Sequence, residues 1–266
     1  MTKVLNTLLF RLTKSKLLWI LLGITVAMAL FEVGLYAALP YILTGEEMGS
    51  LEAIVSLGDM FSLTVSTVSR PDSYSAMFVV IFVALFFGAD FSEGTIRNAV
   101  LSNKSRWQIY AAYLIVAAGA CLAFVLVQTA VYMIALALMG SFASLSATQV
   151  VTGVFSAVGC GVVSCLVMAM VTLLVLVATK KKALAIILPL AGTMLVSAVL
   201  ETVVLIGQLQ GSSLDFMQWI PFAQQMFFDA SVHNGALLGK ILVTNGLLAV
   251  GEGALGYFVF AKAQLK

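Results

Sequence analysis

Six long apolar segments alternate with short polar segments along the chain. A transmembrane α-helix needs about 17 to 25 consecutive apolar residues, and each segment reaches that length. The pattern therefore predicts an all-α, polytopic membrane protein, with a single transmembrane domain over residues 1–266. The predicted spans are residues 17–39, 73–89, 107–139, 148–178, 183–206 and 241–261.

The first sixteen residues carry four bases and no acid. One interpretation is a basic tail, and the other is an amphipathic helix lying in the membrane interface. Apolar residues recur at helical spacing, which favours the helix. These apolar residues are Val4, Leu5, Leu8, Leu9 and Leu12.

Two connections are unusually apolar for loops. The first, residues 40–74, is predicted to begin where Pro40 ends the first span and to lie on the outer membrane surface as short helices. The second, residues 207–239, is predicted to form an interfacial or half-inserted helical hairpin, with Pro221 at a helix start. Such a hairpin is tolerable only where it packs on protein.

Composition excludes a soluble domain and leaves little material for catalysis. The chain is 62% hydrophobic and 10% charged, whereas soluble domains carry about 25% charged residues. His233 is the single histidine and is interpreted as a loop residue, so we expect no metal site and no catalytic residues. The three cysteines, Cys121, Cys160 and Cys165, lie in apolar stretches and are predicted to be small buried side chains.

The distribution of charge predicts the orientation. If both termini are cytoplasmic, the inner segments hold every Lys and Arg except Arg70 and Lys240. Positive charge concentrates on the cytoplasmic side of membrane proteins. We therefore predict a multi-pass protein of the cytoplasmic membrane with both termini inside.

A polar island separates the second and third spans, between residues 90 and 106. Asp90 and Glu93 have the spacing of a capping box, which predicts a helix start. Asn103 is a plausible helix stop. The alternative is a solvated loop whose bases only orient the chain.

The island resembles the cytoplasmic loop of type-2 ABC exporter permeases, of the bacitracin and lantibiotic-immunity kind. The resemblance lies in Asp90, the run 94–97 (Gly-Thr-Ile-Arg) and the Ser-Arg pair at 105–106. The chain departs from that family at Asn103, where Pro is common, and at Tyr113, where Lys is common.

The resemblance implies that residues 90–106 form a coupling loop, whose helix docks into a separate ATPase subunit. The implied coupling residues are Asp90, Glu93, Gly94, Thr95, Arg97, Ser105 and Arg106. It also implies an N-terminal elbow helix and a second permease copy or homologue in the bilayer. The chain lacks a phosphate-binding loop, so ATP and Mg are expected on the partner, and the chain is not expected to be an enzyme by itself or to bind nucleic acid.

Polar stripes mark the first and fifth spans, which line the substrate pathway in the resembled family. The resemblance implies that these stripes contact substrate, and the alternative is that they join helices. The stripes comprise Thr25, Glu32 and Tyr36 in the first span and Thr193, Ser197 and Glu201 in the fifth. Glu32 and Glu201 in the outer part of the pathway would favour a cationic amphipathic substrate. Glu252, between two glycines, is predicted to have a structural role by hydrogen bonding a neighbouring helix.

The expected function is that of an exporter permease moving an amphipathic substrate outward, with a peptide or antimicrobial as the main candidate. The alternative is a membrane scaffold subunit that binds a cytoplasmic partner through residues 90–106 and transports nothing.

The orientation can be tested by cysteine labelling in intact cells. A cysteine replacing Asn103 should react only with membrane-permeant reagents, because it lies on the predicted cytoplasmic side. Cysteines replacing Ser50 or Ser212 should react with an impermeant maleimide. Labelling of the Asn103 variant by the impermeant reagent would contradict the six-span topology.

Overall fold

A computed structural model describes residues 2–44, 57–92, 105–139, 146–209, 215–224 and 235–262. All regular secondary structure in these ranges is helical. A short 3₁₀ helix, Asp215–Trp219, precedes the last α-helix. The α-helices are α1 (Thr2–Lys14), α2 (Lys16–Thr44), α3 (Leu57–Ser69), α4 (Tyr74–Ser92), α5 (Arg106–Leu138), α6 (Ala147–Thr179), α7 (Lys182–Leu209) and α8 (Gly235–Lys262).

The described residues contain six helical segments that are long and apolar enough to cross a membrane. The prediction of an all-α, polytopic membrane protein is thereby confirmed. The segments are Lys16–Leu35, Phe61–Phe91, Arg106–Leu138, Ala147–Thr179, Lys182–Gly207 and Leu237–Lys262.

Several predicted boundaries shift. Helix α2 continues past Pro40 to Thr44, because a proline removes one backbone hydrogen bond and the helix can resume after it. Helix α8 begins at Gly235 rather than at residue 241, so the connection predicted at 207–239 is shorter than expected.

Helix α3 is the described part of the connection predicted at residues 40–74 to form short helices, and its position relative to the membrane stays a prediction. Phe61, Val65 and Val68 of α3 are almost completely buried, and the helix packs on α6. A Cβ atom added to Gly161 would lie 2.9 Å from the carbonyl oxygen of Val68, so this glycine permits the close approach. Small residues such as this one allow helices to approach closely in membrane proteins.

Helices α4 and α6 occupy the centre of the bundle. Helix α4 packs on α2, α5, α6 and α7, whereas α6 packs on α3, α4, α5, α7 and α8. The predicted burial of the three cysteines is confirmed, and all three are free thiols. The faces of α2, α7 and α8 that turn away from the centre expose large apolar side chains, as expected of surfaces that meet lipid.

The described part of the 207–239 connection docks onto α8. Gln224 donates from Nε2 to Oγ1 of Thr244, at 2.6 Å, and Lys240 donates from Nζ to Oε1 of Gln218, at 2.7 Å. Pro221 lies in a turn after the 3₁₀ helix, so the prediction that it begins a helix is wrong. Residues 210–214 and 225–234 of the predicted hairpin lie outside the described residues.

Two glycines of α8 provide a matched test of the α5–α8 contact. A Cβ on Gly256 would lie 2.2 Å from the hydroxyl oxygen of Tyr110, whereas a Cβ on Gly251 meets nothing within 4 Å. Gly256→Ala should cost about 1–3 kcal/mol of unfolding free energy through overpacking. Gly251→Ala should be neutral or stabilising, since alanine favours the helix. Thermal unfolding in detergent measures both, and equal midpoints would contradict the packing described.

Candidate coupling site

Five parts of the chain meet at one end of the bundle: α1, the end of α4, the start of α5, the α6–α7 turn and the end of α8. We call this the basic end, because its described bases include Arg11, Arg106, Lys180, Lys181, Lys182 and Lys262. At the start of α7, the aliphatic part of the Lys182 side chain packs against Gly88 of α4.

Helix α1 has the predicted form, with one face against the bundle. Leu8 is buried, and Val4, Leu5 and Leu12 pack partly buried against the core. Leu9, which belongs to the predicted apolar set, is instead partly exposed, as is its neighbour Phe10. The helix confirms the amphipathic interpretation over the basic-tail interpretation.

A buried carboxylate ties α1 to two spans. Asp90 is 1% exposed. Arg11 of α1 donates from Nη1 to Oδ1 of Asp90 at 2.6 Å, and the hydroxyl of Tyr113 in α5 donates to Oδ2 at 3.1 Å. The Arg11 guanidinium also lies 5.0 Å from the ring centroid of Phe86 in α4. We call Arg11, Asp90 and Tyr113 the elbow clamp.

The elbow clamp corrects the predicted role of Asp90. The acid was expected to cap a new helix, but α4 continues through it to Ser92. An N-cap residue has non-helical backbone angles, so Asp90, inside α4, does not cap a new helix, and its oxygens bind Arg11 and Tyr113 instead. Glu93, Gly94, Thr95 and Arg97, together with the predicted coupling helix, lie outside the described residues.

Ser105 and Arg106 fix the start of α5. Ser105 is the N-cap, and its side chain accepts a hydrogen bond from the Gln108 amide. Arg106 donates from Nη1 to the carbonyl oxygens of Phe260 and Ala261, in the last turn of α8. A base there satisfies carbonyls that the helix leaves unpaired and complements the helix dipole. The resemblance implies a coupling role for Arg106, which stays a prediction; within the chain, its Nη1 binds the end of α8.

Residues 93–104 are therefore bracketed on both sides by fixed points. Asp90 lies just before the segment and connects α4 to α1 and α5. Arg106 lies just after the segment and connects α5 to α8. A displacement of this segment would act on four helices at once.

The predicted pathway residues of α2 lie inside the bundle. Thr25 is buried and donates to the carbonyl of Leu21 in its own helix. Glu32 is buried and accepts a hydrogen bond from the hydroxyl of Tyr132 in α5. The side chain of Tyr36 lies outside the described residues.

Tyr132 connects Glu32 to a wider polar network among the spans. Gln128 donates from Nε2 to the Tyr132 hydroxyl at 3.2 Å, and its Oε1 accepts from the backbone amide of Ser75 at 3.2 Å. The thiol of Cys165 donates to Oγ of Ser75 at 3.6 Å. The network therefore joins α2, α5, α4 and α6 through groups that are all buried.

The α7 stripe also faces the bundle. Thr193 donates to the carbonyl of Pro189 at 2.7 Å and contacts the sulfur of Met168 in α6 at 3.1 Å. Ser197 is buried, and its Oγ has no hydrogen-bond partner within the described ranges. Glu201 accepts from Nη2 of Arg70 at 3.2 Å.

The two predicted stripes belong to helices with partly different neighbours. Helix α2 packs on α4 and α5, whereas α7 packs on α4 and α6, so α4 contacts both. Glu32 accepts a hydrogen bond from Tyr132, and Glu201 shares Arg70 with Asp72, which Arg70 binds through Nε and Nη2. Glu32 and Glu201 thus make polar contacts between elements of the described chain, and contact of the stripes with substrate stays a prediction.

Glu252, predicted to hydrogen bond a neighbouring helix, lies in α8. Its Oε2 is buried and has no hydrogen-bond partner among the residues that the structure describes. The flanking glycines have different surroundings. A Cβ atom added to Gly253 would lie 3.7 Å from the sulfur of Met170, whereas one added to Gly251 would meet nothing within 4 Å. The predicted interhelical hydrogen bond is absent at this oxygen.

Residues 20–234 match the family described as "Protein of unknown function (DUF2705)". The chain belongs to this family. The DUF2705 match begins inside α2 and covers Asp90, Tyr113 and the bracketed segment, but it leaves out Arg11 and the last turn of α8. No curated protein matches the chain.

Sequence reasoning missed Arg11, Tyr113 and Tyr132 as partners of the acids. One signal was available: an acid at the end of or within an apolar span requires a partner, and this applies to both Asp90 and Glu32. The signal identifies the acid that needs a partner but does not locate that partner.

The elbow clamp can be tested by a double-mutant cycle. Arg11→Gln and Asp90→Asn should each lower the unfolding free energy by about 1–3 kcal/mol, as expected for a hydrogen bond to a charged group. The double variant should cost less than the sum of the two changes. Hydrogen exchange should also rise in α1 for each variant. Additive costs, with α1 exchange unchanged, would show that the residues do not interact.

Proposed function

We propose that this protein is the membrane-spanning permease subunit of an ATP-binding cassette exporter, driven by separate ATPase subunits. The observation that carries the proposal is the bracketed segment at the basic end. Its sequence resembles a coupling loop, and its two flanks are tied by Asp90 and Arg106 to α1, α4, α5 and α8.

The bracketing explains how a docked partner would move the spans. A force on residues 93–104 would reach the elbow helix through Arg11 and the last span through the α8 carbonyls. Buried ion pairs resist separation because breaking one leaves an unpaired charge in a low-dielectric site. The helices would therefore move together rather than let the segment slide alone.

In the proposed assembly, two permease copies or homologous permeases pair in the cytoplasmic membrane, and ATP and Mg reside on the ATPase partners. The basic end faces the cytoplasm, in agreement with the positive-inside rule. Export requires this orientation, since the ATPases act from the cytoplasm.

The proposed substrate is amphipathic, with a peptide or antimicrobial as the leading candidate. Extensive apolar helix surfaces suit a molecule that partitions into lipid. A preference for cations was expected from free carboxylates on Glu32 and Glu201. Because both carboxylates have partners in the chain, charge selectivity forms no part of the proposal.

The proposal is tested by charge reversal in the bracketed segment. The chain is co-expressed with each candidate ABC ATPase of the same genome, and the complex is purified through a tag on the permease. Arg97→Glu should reduce the recovered ATPase at least tenfold, because it removes a base from the docking surface. Lys181→Glu is the matched control: the same reversal in the exposed α6–α7 turn at the same end. Its recovery of ATPase should stay within twofold of wild type.

The readouts separate export from the scaffold alternative. An exporter should show ATP hydrolysis that an amphipathic peptide stimulates and that Arg97→Glu abolishes. A complex that co-purifies but hydrolyses ATP at the same rate with and without peptides would support a scaffold. Equal ATPase recovery for wild type and Arg97→Glu would count against the coupling site itself.

A further inference from the structure

A concave apolar groove opens on the side of the bundle next to the basic end. It lies between α5, α6 and α8 and has a volume of about 570 Å³. All of its lining side chains are apolar or aromatic. They include Trp107 and Ile115 of α5, Met170 of α6, and Val250, Ala254 and Tyr257 of α8. The groove is separate from the polar stripes of α2 and α7.

The depth of the groove matches one leaflet of a bilayer. Its α5 wall runs from Trp107 to Ala118, a rise of about 16 Å at about 1.5 Å per residue. One leaflet contributes about half of the ~30 Å hydrocarbon core. Trp107, at the cytoplasmic start of α5, therefore marks the headgroup level, and Ala118 lies near the midplane.

Aromatic side chains form the rim, and a base lies beyond it. Trp107 and Tyr257 pack edge to face with their ring centroids 4.9 Å apart, and such amphipathic rings favour the membrane interface. The ammonium of Lys262 lies 4.0 Å from the ring centroid of Phe258, a side chain that is exposed on the outside of α8. Lys262 lies in the last turn of α8, five residues beyond the groove-lining Tyr257, and thus places positive charge at the headgroup level of the same end.

We propose that this groove binds an anionic phospholipid of the cytoplasmic leaflet. One acyl chain lies between α5 and α8, and the phosphate lies at the rim beside Lys262. Apolar walls, leaflet depth and positive charge at headgroup level all select this occupant. The inference depends on the proposed orientation of the chain and is independent of whether the protein is an exporter.

Trp107 serves as the reporter for the test. The full chain with Trp19→Phe and Trp219→Phe keeps Trp107 as its single tryptophan. It is reconstituted in phosphatidylcholine vesicles that contain increasing fractions of brominated phosphatidylglycerol or brominated phosphatidylcholine. Brominated phosphatidylglycerol should reach half-maximal quenching of Trp107 at about a fivefold lower lipid fraction than brominated phosphatidylcholine. This is the preference expected from one base at the headgroup level.

Two variants and one control assign the preference to the groove. Lys262→Gln should abolish the preference while brominated phosphatidylcholine still quenches. Ala254→Phe should fill the groove and reduce quenching by both lipids. Leu247→Phe is the control: it enlarges another exposed residue of α8 that lies outside the groove, and it should change nothing.

Three results would overturn the proposal. Equal quenching by the two lipids would remove the anionic preference. Unchanged quenching in Ala254→Phe would place the lipid outside the groove. Absence of quenching by either lipid, together with disulfide formation between copies that carry Ala254→Cys, would assign the groove to a second copy of the chain.

Discussion

The burial of one carboxylate dictates the arrangement of the basic end. Asp90 lies where α4 is still packed among other helices, and an ionised group there must be paired and hydrogen-bonded. Its partners come from different helices, Arg11 from α1 and Tyr113 from α5. The position of an interfacial helix, which otherwise depends on a modest apolar face, is therefore set by a directional ion pair. Helices α1, α4 and α5 consequently form one unit.

Much of the fold could be predicted because it follows from local patterns. Long apolar segments require helices in a bilayer, since every backbone polar group must be satisfied internally. The helical period of the apolar residues between 4 and 12 predicted an amphipathic helix, and the structure confirms it as α1. The stripe at Thr193 and Ser197 was also recognised correctly as one face of α7.

The site was harder to predict because its contacts join distant parts of the chain. Asp90 and Glu93 have the local spacing of a capping box, but the partner that engages Asp90 lies 79 residues earlier. Glu201 pairs with Arg70, which is 131 residues away. The apolar face of helix α3 shows the same difficulty. A local sequence does not distinguish an apolar face that meets lipid from one that meets protein. Periodicity identifies a face of a helix, and tertiary packing decides what covers it.

The bond from Arg106 to α8 has a consequence for biosynthesis. Its acceptors, Phe260 and Ala261, lie 154 and 155 residues later in the chain. As the ribosome delivers the helices in order, the guanidinium at the start of α5 has no access to these carbonyls until α8 is made. The hydroxyl of Tyr110 likewise has no access to its acceptor, the carbonyl of Gly253, until α8 is made. The final helix therefore completes the basic end, and a chain interrupted before α8 would leave both Arg106 and Tyr110 without these acceptors.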